Sequence, residues 1–250
     1  MQNLRSPHHE PPPQASEEDN RGRRSPRPSR AGGSGRESAS SLYPQTKATR
    51  ADWLRAALAT LIADGVEQVK VLTLAQKLTV SRSSFYWYFR SRQDLLDQLL
   101  ELWREKNTKV IVEQARRPAE TINEGVLHIF ECWTDEAQFE PRLDFAIREW
   151  ARRSRPVRRI VHEADDQRVE AIRLLFCRHG YDDTDAFIRA RVLYFMQIGY
   201  YALEVKEPMR QRLSYVPAYL RSFTGREPRE NEVERFKRVT RRRSRLDRSV

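Results

Sequence analysis

The stretch Leu74-Ala-Gln-Lys-Leu-Thr-Val-Ser-Arg-Ser-Ser-Phe-Tyr-Trp-Tyr-Phe-Arg-Ser-Arg-Gln-Asp-Leu-Leu96 decides the fold. Leu74, Ala75, Leu78, Val80, Phe85 and Phe89 are spaced to face inward and hold two short helices together. Arg82, Ser83, Ser84, Tyr86, Trp87 and Tyr88 are left for the outside. Successive large aromatics on a short basic helix are costly to expose without a use. The DNA major groove offers one: Arg82 can donate bidentately to guanine, Ser83 and Ser84 permit close approach, and tyrosine hydroxyls reach phosphates.

The flanks are helical. Thr73 and Gln76 have capping-box spacing for a helix over 73–78, Ser81 is an N-cap for another over 82–89, and Ser91 with Asp94 starts a longer one that runs past Trp103. Upstream, Thr49 and Asp52 form the same box, Leu54, Ala57, Leu58, Leu61 and Ile62 give an apolar face, and Gly65 ends the helix at 64. Two short helices with a tight turn, buttressed by longer ones, build a helix-turn-helix.

This stretch closely resembles the tetracycline-repressor (TetR) family. The likeness rests on Leu-Ala-x-x-Leu at 74–78, Val80-Ser81, and above all Phe85-Tyr86-Trp87-Tyr88-Phe89 followed by Arg90-Ser91-Arg92-Gln93-Asp94-Leu95. The specific part covers residues 47 to about 105; beyond it only helix number and layout are similar. The resemblance implies a third helix in the major groove, with Arg82, Ser83 and Ser84 at its base-facing start, Tyr86 on a phosphate and Trp87 and Tyr88 beside it. It also implies that Arg92 reaches the DNA backbone and that Thr73 caps the second helix and contacts a phosphate. Thr79 stands at a turn position often held by Gly, and Ser83 where Gly is frequent, which puts the operator sequence in doubt.

Composition agrees. The 250 residues carry 46 Lys and Arg against 35 Asp and Glu, a formal charge of +11 that points to a polyanionic partner, with solubility as the bland alternative. Cys132 and Cys177, both in apolar stretches, read as free thiols in a reducing cytosol. No metal spacing, phosphate loop, signal peptide or membrane-length apolar run appears. The expectation is therefore a cytoplasmic bacterial protein, nucleoid-associated when DNA-bound, with no cofactor, metal or membrane.

The fold class expected is all-α with about nine helices: a Pro/Ser/Arg-rich disordered tail (1–44), a DNA-binding domain (45–92), a helical effector-binding and dimerisation domain (93–225) and a basic tail (226–250). Helices over about 157–179 and 185–206 fit the family's dimer interface, the second being apolar nearly all round. Trp103, Phe130, Trp133, Phe145, Trp150, Phe176 and Tyr194 are candidates to line an effector cavity, or to be core. Asp165, Asp166, Arg168, Glu170 and Arg173 read as the polar side of the seventh helix. The reading is a sequence-specific transcription regulator, a repressor released from its operator by a small molecule. The alternatives are a non-specific basic DNA-binding protein and a helical adaptor. An enzyme is disfavoured because no nucleophile–base arrangement is present.

Overall fold

The computed structural model describes residues 48–246; the expected 1–44 tail lies outside them. Helix α1 (Arg50–Asp64) opens with both halves of the capping box: Thr49 Oγ1 accepts from the Asp52 N–H at 3.2 Å, and Asp52 accepts from the Thr49 N–H at 2.9 Å. Gly65, at φ 79°, turns the chain into a short 3₁₀ turn, Val66–Gln68. Helix α2 (Val71–Leu78) starts two residues before the expected 73. Leu74 N–H already bonds Lys70 O at 3.0 Å, so Thr73 lies inside the first turn and is not its cap. Thr79 closes α2 in the left-handed region at φ 56°, a conformation that Gly adopts at no steric cost.

The segment expected as an α-helix over 82–89 is a 3₁₀ helix, Arg82–Trp87. The bonds Ser84 N–H to Ser81 O (3.2 Å) and Tyr88 N–H to Phe85 O (3.0 Å) have the i→i+3 pattern. Ser81 occupies the cap position, but its hydroxyl pairs with that of Ser83 at 2.9 Å and caps nothing. Ser91 does cap α3 (Arg92–Trp103), accepting from the Asp94 N–H at 3.1 Å. A π-helical turn, Arg104–Thr108, continues α3 into α4 (Lys109–Arg116) as one rod.

Six more helices follow: α5 (Ile122–Trp133), α6 (Pro141–Arg153), α7 (Arg155–Arg178), α8 (Asp183–Ala202), α9 (Met209–Thr224) and α10 (Glu230–Leu246). The described residues form ten α-helices and no strand, so the all-α class holds. Helix α8 stops at Ala202, short of 206, because the chain turns at Glu204, φ 47°.

The expected basic tail is largely α10. Glu232, Val233, Phe236 and Thr240 are buried along one stripe, and Phe236 packs on Phe130 of α5 at 6.2 Å. Glu232 takes the Thr121 hydroxyl at 2.6 Å, and Arg235 pairs with Glu124.

The apolar interior divides in two. One core joins α1, α2, the 3₁₀ segment and α3 to α6 and the first half of α7; the other joins α4, α5, the second half of α7 and α8 to α10.

Candidate nucleic-acid interface

Two phenylalanines fix the 3₁₀ segment to the head. Phe85 is fully buried, edge-on to Trp53 of α1 at 5.2 Å and stacked on Phe89 at 5.1 Å. With those rings anchored, the neighbouring side chains face out: Tyr86 is 57% exposed and Trp87 71%, while Tyr88 is half-buried. Burial of such rings elsewhere in a fold is favourable by about 1.5–3 kcal/mol each, so a rigid segment that displays two of them presents a contact surface.

Arg82 and Ser83 are exposed at the start of the segment, and neither Arg82 nor Arg90 is in any ion pair among the described residues. Ser84 Oγ donates to Ser81 O at 2.7 Å, which locks the turn and leaves its oxygen only as an acceptor. A groove between α2 and the segment is lined by Leu72, Gln76, Thr79, Arg82, Ser84 and Trp87. Leu72, Gln76 and Arg90 are exposed on the head, and Gln76 and Arg90 are surface residues that sequence reasoning does not single out as contacts, although the position of Gln76 one turn after Thr73 places it on that face.

Arg92 is placed differently from expectation. Its Nε donates to Val69 O at 2.6 Å and its Nη2 to Val66 O at 2.7 Å, so the guanidinium pins the 66–69 loop to α3. Thr73 is half-buried in α2, on the turn that leads into the groove. Asp94 accepts the Arg90 N–H at 2.8 Å, and this bond holds its carboxyl below the usual range.

The seven aromatics expected around one effector cavity go to different places. Phe130 and Trp133 line a cavity between α5, α8, α9 and α10. Phe145 and Trp150 line an open groove of about 900 Å³ beneath the C-terminal end of α1. Phe176 is core, edge-on to Tyr181 at 5.2 Å.

Trp103 and Tyr194 belong to a buried polar cluster that sequence reasoning missed. Arg168, read as surface, is fully buried. Its Nε and Nη2 donate to Thr108 Oγ1 at 3.1 and 2.9 Å, and its Nη1 to Asp144 at 3.1 Å and to Tyr194 OH at 2.9 Å. Arg148 bridges Asp144 (2.8 Å) and Asp165 (2.7 and 2.9 Å), and Trp103 Nε1 donates to Asp144 at 2.7 Å. Burial alone would raise the Asp144 carboxyl; the Arg168 and Arg148 guanidiniums reverse this and hold it at about 2.

The geometry is that of a helix-turn-helix reader, with a rigid, basic, aromatic edge carried on a three-helix head. Residues 54–99 match the family model described as bacterial regulatory proteins, tetR family. Residues 54–99 thus carry a TetR-type DNA-binding domain. No curated protein matches it in sequence. Among solved structures, a protein from Pseudomonas aeruginosa PAO1 assigned as a transcriptional regulator is similar, with TM-score 0.54, 14% identity, and 75% of this chain and 93% of that one covered. This supports the all-helical fold. Salmonella enterica GusR gives TM-score 0.49 and 16% identity over 78% of this chain and 94% of its own.

Proposed function

We propose that the chain is a homodimeric, cytoplasmic repressor without enzymatic activity, which holds a two-fold operator with two heads and lets go when a small molecule binds the helical body. The head is residues 45–92; the body begins at 93 and, in this reading, includes α10. The observation that carries the proposal is the pairing of buried Phe85 and Phe89 with exposed Tyr86 and Trp87 on one rigid segment. Arg82, Ser83 and Ser84 enter the major groove, Ser84 as an acceptor. Tyr86, Trp87 and Tyr88 flank the backbone, and Thr73 and Arg90 reach phosphates. Arg92 acts by holding the loop from which α2 starts.

Dimerisation is supported by an apolar face on α8 in which Phe187, Ile188, Val192 and Phe195 are all exposed, with Leu174 of α7 also exposed. Of the two helices expected at the interface, α8 supplies most of this surface. Two-fold pairing there sets the half-site spacing by the DNA repeat.

The test is selection of bound fragments from the source genome by the purified protein at moderate salt. A palindromic motif lost in Arg82→Ala supports the reading. Binding without sequence preference that survives Arg82→Ala and collapses with salt overturns it in favour of non-specific attachment.

A further inference from the structure

The cavity between α5, α8, α9 and α10 has a defined chemistry. Phe130, Trp133, Tyr200 and Tyr219 contribute aromatic wall, and Met196 and Met209 the flexible remainder. Gln197, 7% exposed, lines the cavity, and its buried Nε2 has no hydrogen-bond partner within 3.5 Å, with only a longer, weak bond to the Tyr201 hydroxyl open to it. A buried amide N–H without a good acceptor is costly, and an acceptor entering the cavity would relieve that cost. A second donor stands in the same wall. The Arg212 guanidinium lies over the Tyr200 ring at 4.8 Å and is in no ion pair among the described residues. Glu207, also in the wall, accepts the Tyr200 hydroxyl at 3.3 Å.

We infer that this cavity is the effector site and that its ligand is a small aromatic monocarboxylate. The ring lies among the aromatic and methionine side chains, and the carboxylate accepts from Gln197 Nε2 and Arg212. Two donors facing an apolar chamber call for an acceptor group, and a guanidinium without a carboxylate partner makes an anion the favoured one. The Glu207 charge disfavours a second acidic group, which selects one carboxylate over two.

The cavity as it stands, about 60 Å³, is smaller than the roughly 150 Å³ that holds a benzene ring. Occupation therefore displaces Met196 and Met209, whose unbranched thioethers repack easily, and moves α8 relative to α9. Gln197 lies one turn from Tyr194, whose hydroxyl is in the buried polar cluster. This inference rests on the effector-released reading given above.

The test uses the full-length protein and phenylacetate as probe, with phenylacetamide as its neutral twin and phenylmalonate as the dianion, followed by calorimetry. Phenylacetate binds, and each twin binds weaker by about tenfold or more, as does phenylacetate to Arg212→Met and Gln197→Leu. Arg212 is half-exposed, so its substitution leaves the fold intact, and the comparison of the three probes needs no variant at all. The inference is overturned if phenylacetate does not bind, if it binds no better than the amide, or if both variants bind it as the wild type does. Operator binding, measured on the same samples, separates the two levels. Intact DNA binding with no carboxylate response sinks the site alone; loss of any sequence preference sinks the regulator reading.

Discussion

Replacing Arg168 by methionine tests whether the buried cluster is one electrostatic unit. Methionine keeps the length of the stem and much of the volume, so the change is mainly the loss of charge and of four hydrogen bonds: two to Thr108, one to Asp144 and one to Tyr194. The cluster holds two arginines, 148 and 168, and two aspartates, 144 and 165; the substitution takes it from neutral to −1 in a buried site. Breaking a buried pair by removing one partner costs about 3–5 kcal/mol. Asp144 keeps Arg148 at 2.8 Å and Trp103 at 2.7 Å, which places the expected loss near the lower end, about 3 kcal/mol. In Arg168→Met combined with Asp144→Asn the cluster is neutral again, and the second substitution should cost about 1–2 kcal/mol less than it does in the wild type. Urea unfolding at pH 7 of the four proteins in this cycle measures both quantities. A loss under about 1 kcal/mol for the single variant, or strict additivity in the double, refutes the coupling.

The same cluster sets a pH dependence: Asp144 falls from its ordinary 3.8 to about 2 on folding, a depressed acid whose contribution, about 2 kcal/mol, is fully present above pH 4 and lost as pH falls through 2. Urea titrations from pH 5 to pH 2 should show a loss about 2 kcal/mol larger in the wild type than in Asp144→Asn, since Asp52, Asp94 and Glu124 are held low in both. Trp87→Ala should weaken operator binding about tenfold with an unchanged unfolding midpoint, whereas Phe85→Ala should cost about 3–5 kcal/mol of stability; fluorescence anisotropy and thermal melts read the two effects. Phe236→Ala should lower stability by about 3 kcal/mol in urea unfolding, since its ring is buried against Phe130; a solvated tail would lose nothing.

What could be read in advance was local. The Thr49–Asp52 box and the Ser91 cap are decided by groups within a turn of one another, and they fall where the spacing put them. The identity of the head was legible because anchoring and display alternate within five residues, Phe85 to Phe89. The miss at Thr73 was also local in origin. A capping pattern was present, but buried Val69 and the turn before it start the helix sooner. Helix α10 was hidden because its stripe, Val233 and Phe236, is narrow and set among arginines, so charge outweighed periodicity. Arg168 was read as solvated because its neighbours on α7 are polar; its partner Asp144 is on another helix, and only the crossing of α6 and α7 brings them together. The scatter of the seven aromatics has the same cause, since ring positions depend on helix crossings that no single helix encodes.

Those crossings also bear on how head and body communicate. Helix α7 gives Val157, Val161 and Ala164 to the head's core and Val169, Ile172, Leu175 and Phe176 to the body's, with Arg168 at the change-over. The rod of α3 and α4 does the same: Trp103 belongs to the first core, Ile111 to the second, and the π turn lies between them. The two seams meet at one side chain, since Arg168 bonds Thr108 of that turn and lies over the Trp103 ring at 5.0 Å. Close-packed apolar cores pass displacement on with little absorption, whereas a π turn is a place where a helix already departs from its regular ladder. The Tyr194 hydroxyl bonds Asp165 (2.6 Å), Arg168 (2.9 Å) and Arg148 (3.0 Å), so a shift of α8 there would reach the whole cluster, and the π turn at 104–108, tied to Arg168 through Thr108, is where the rod departs from its regular ladder and can yield at least cost.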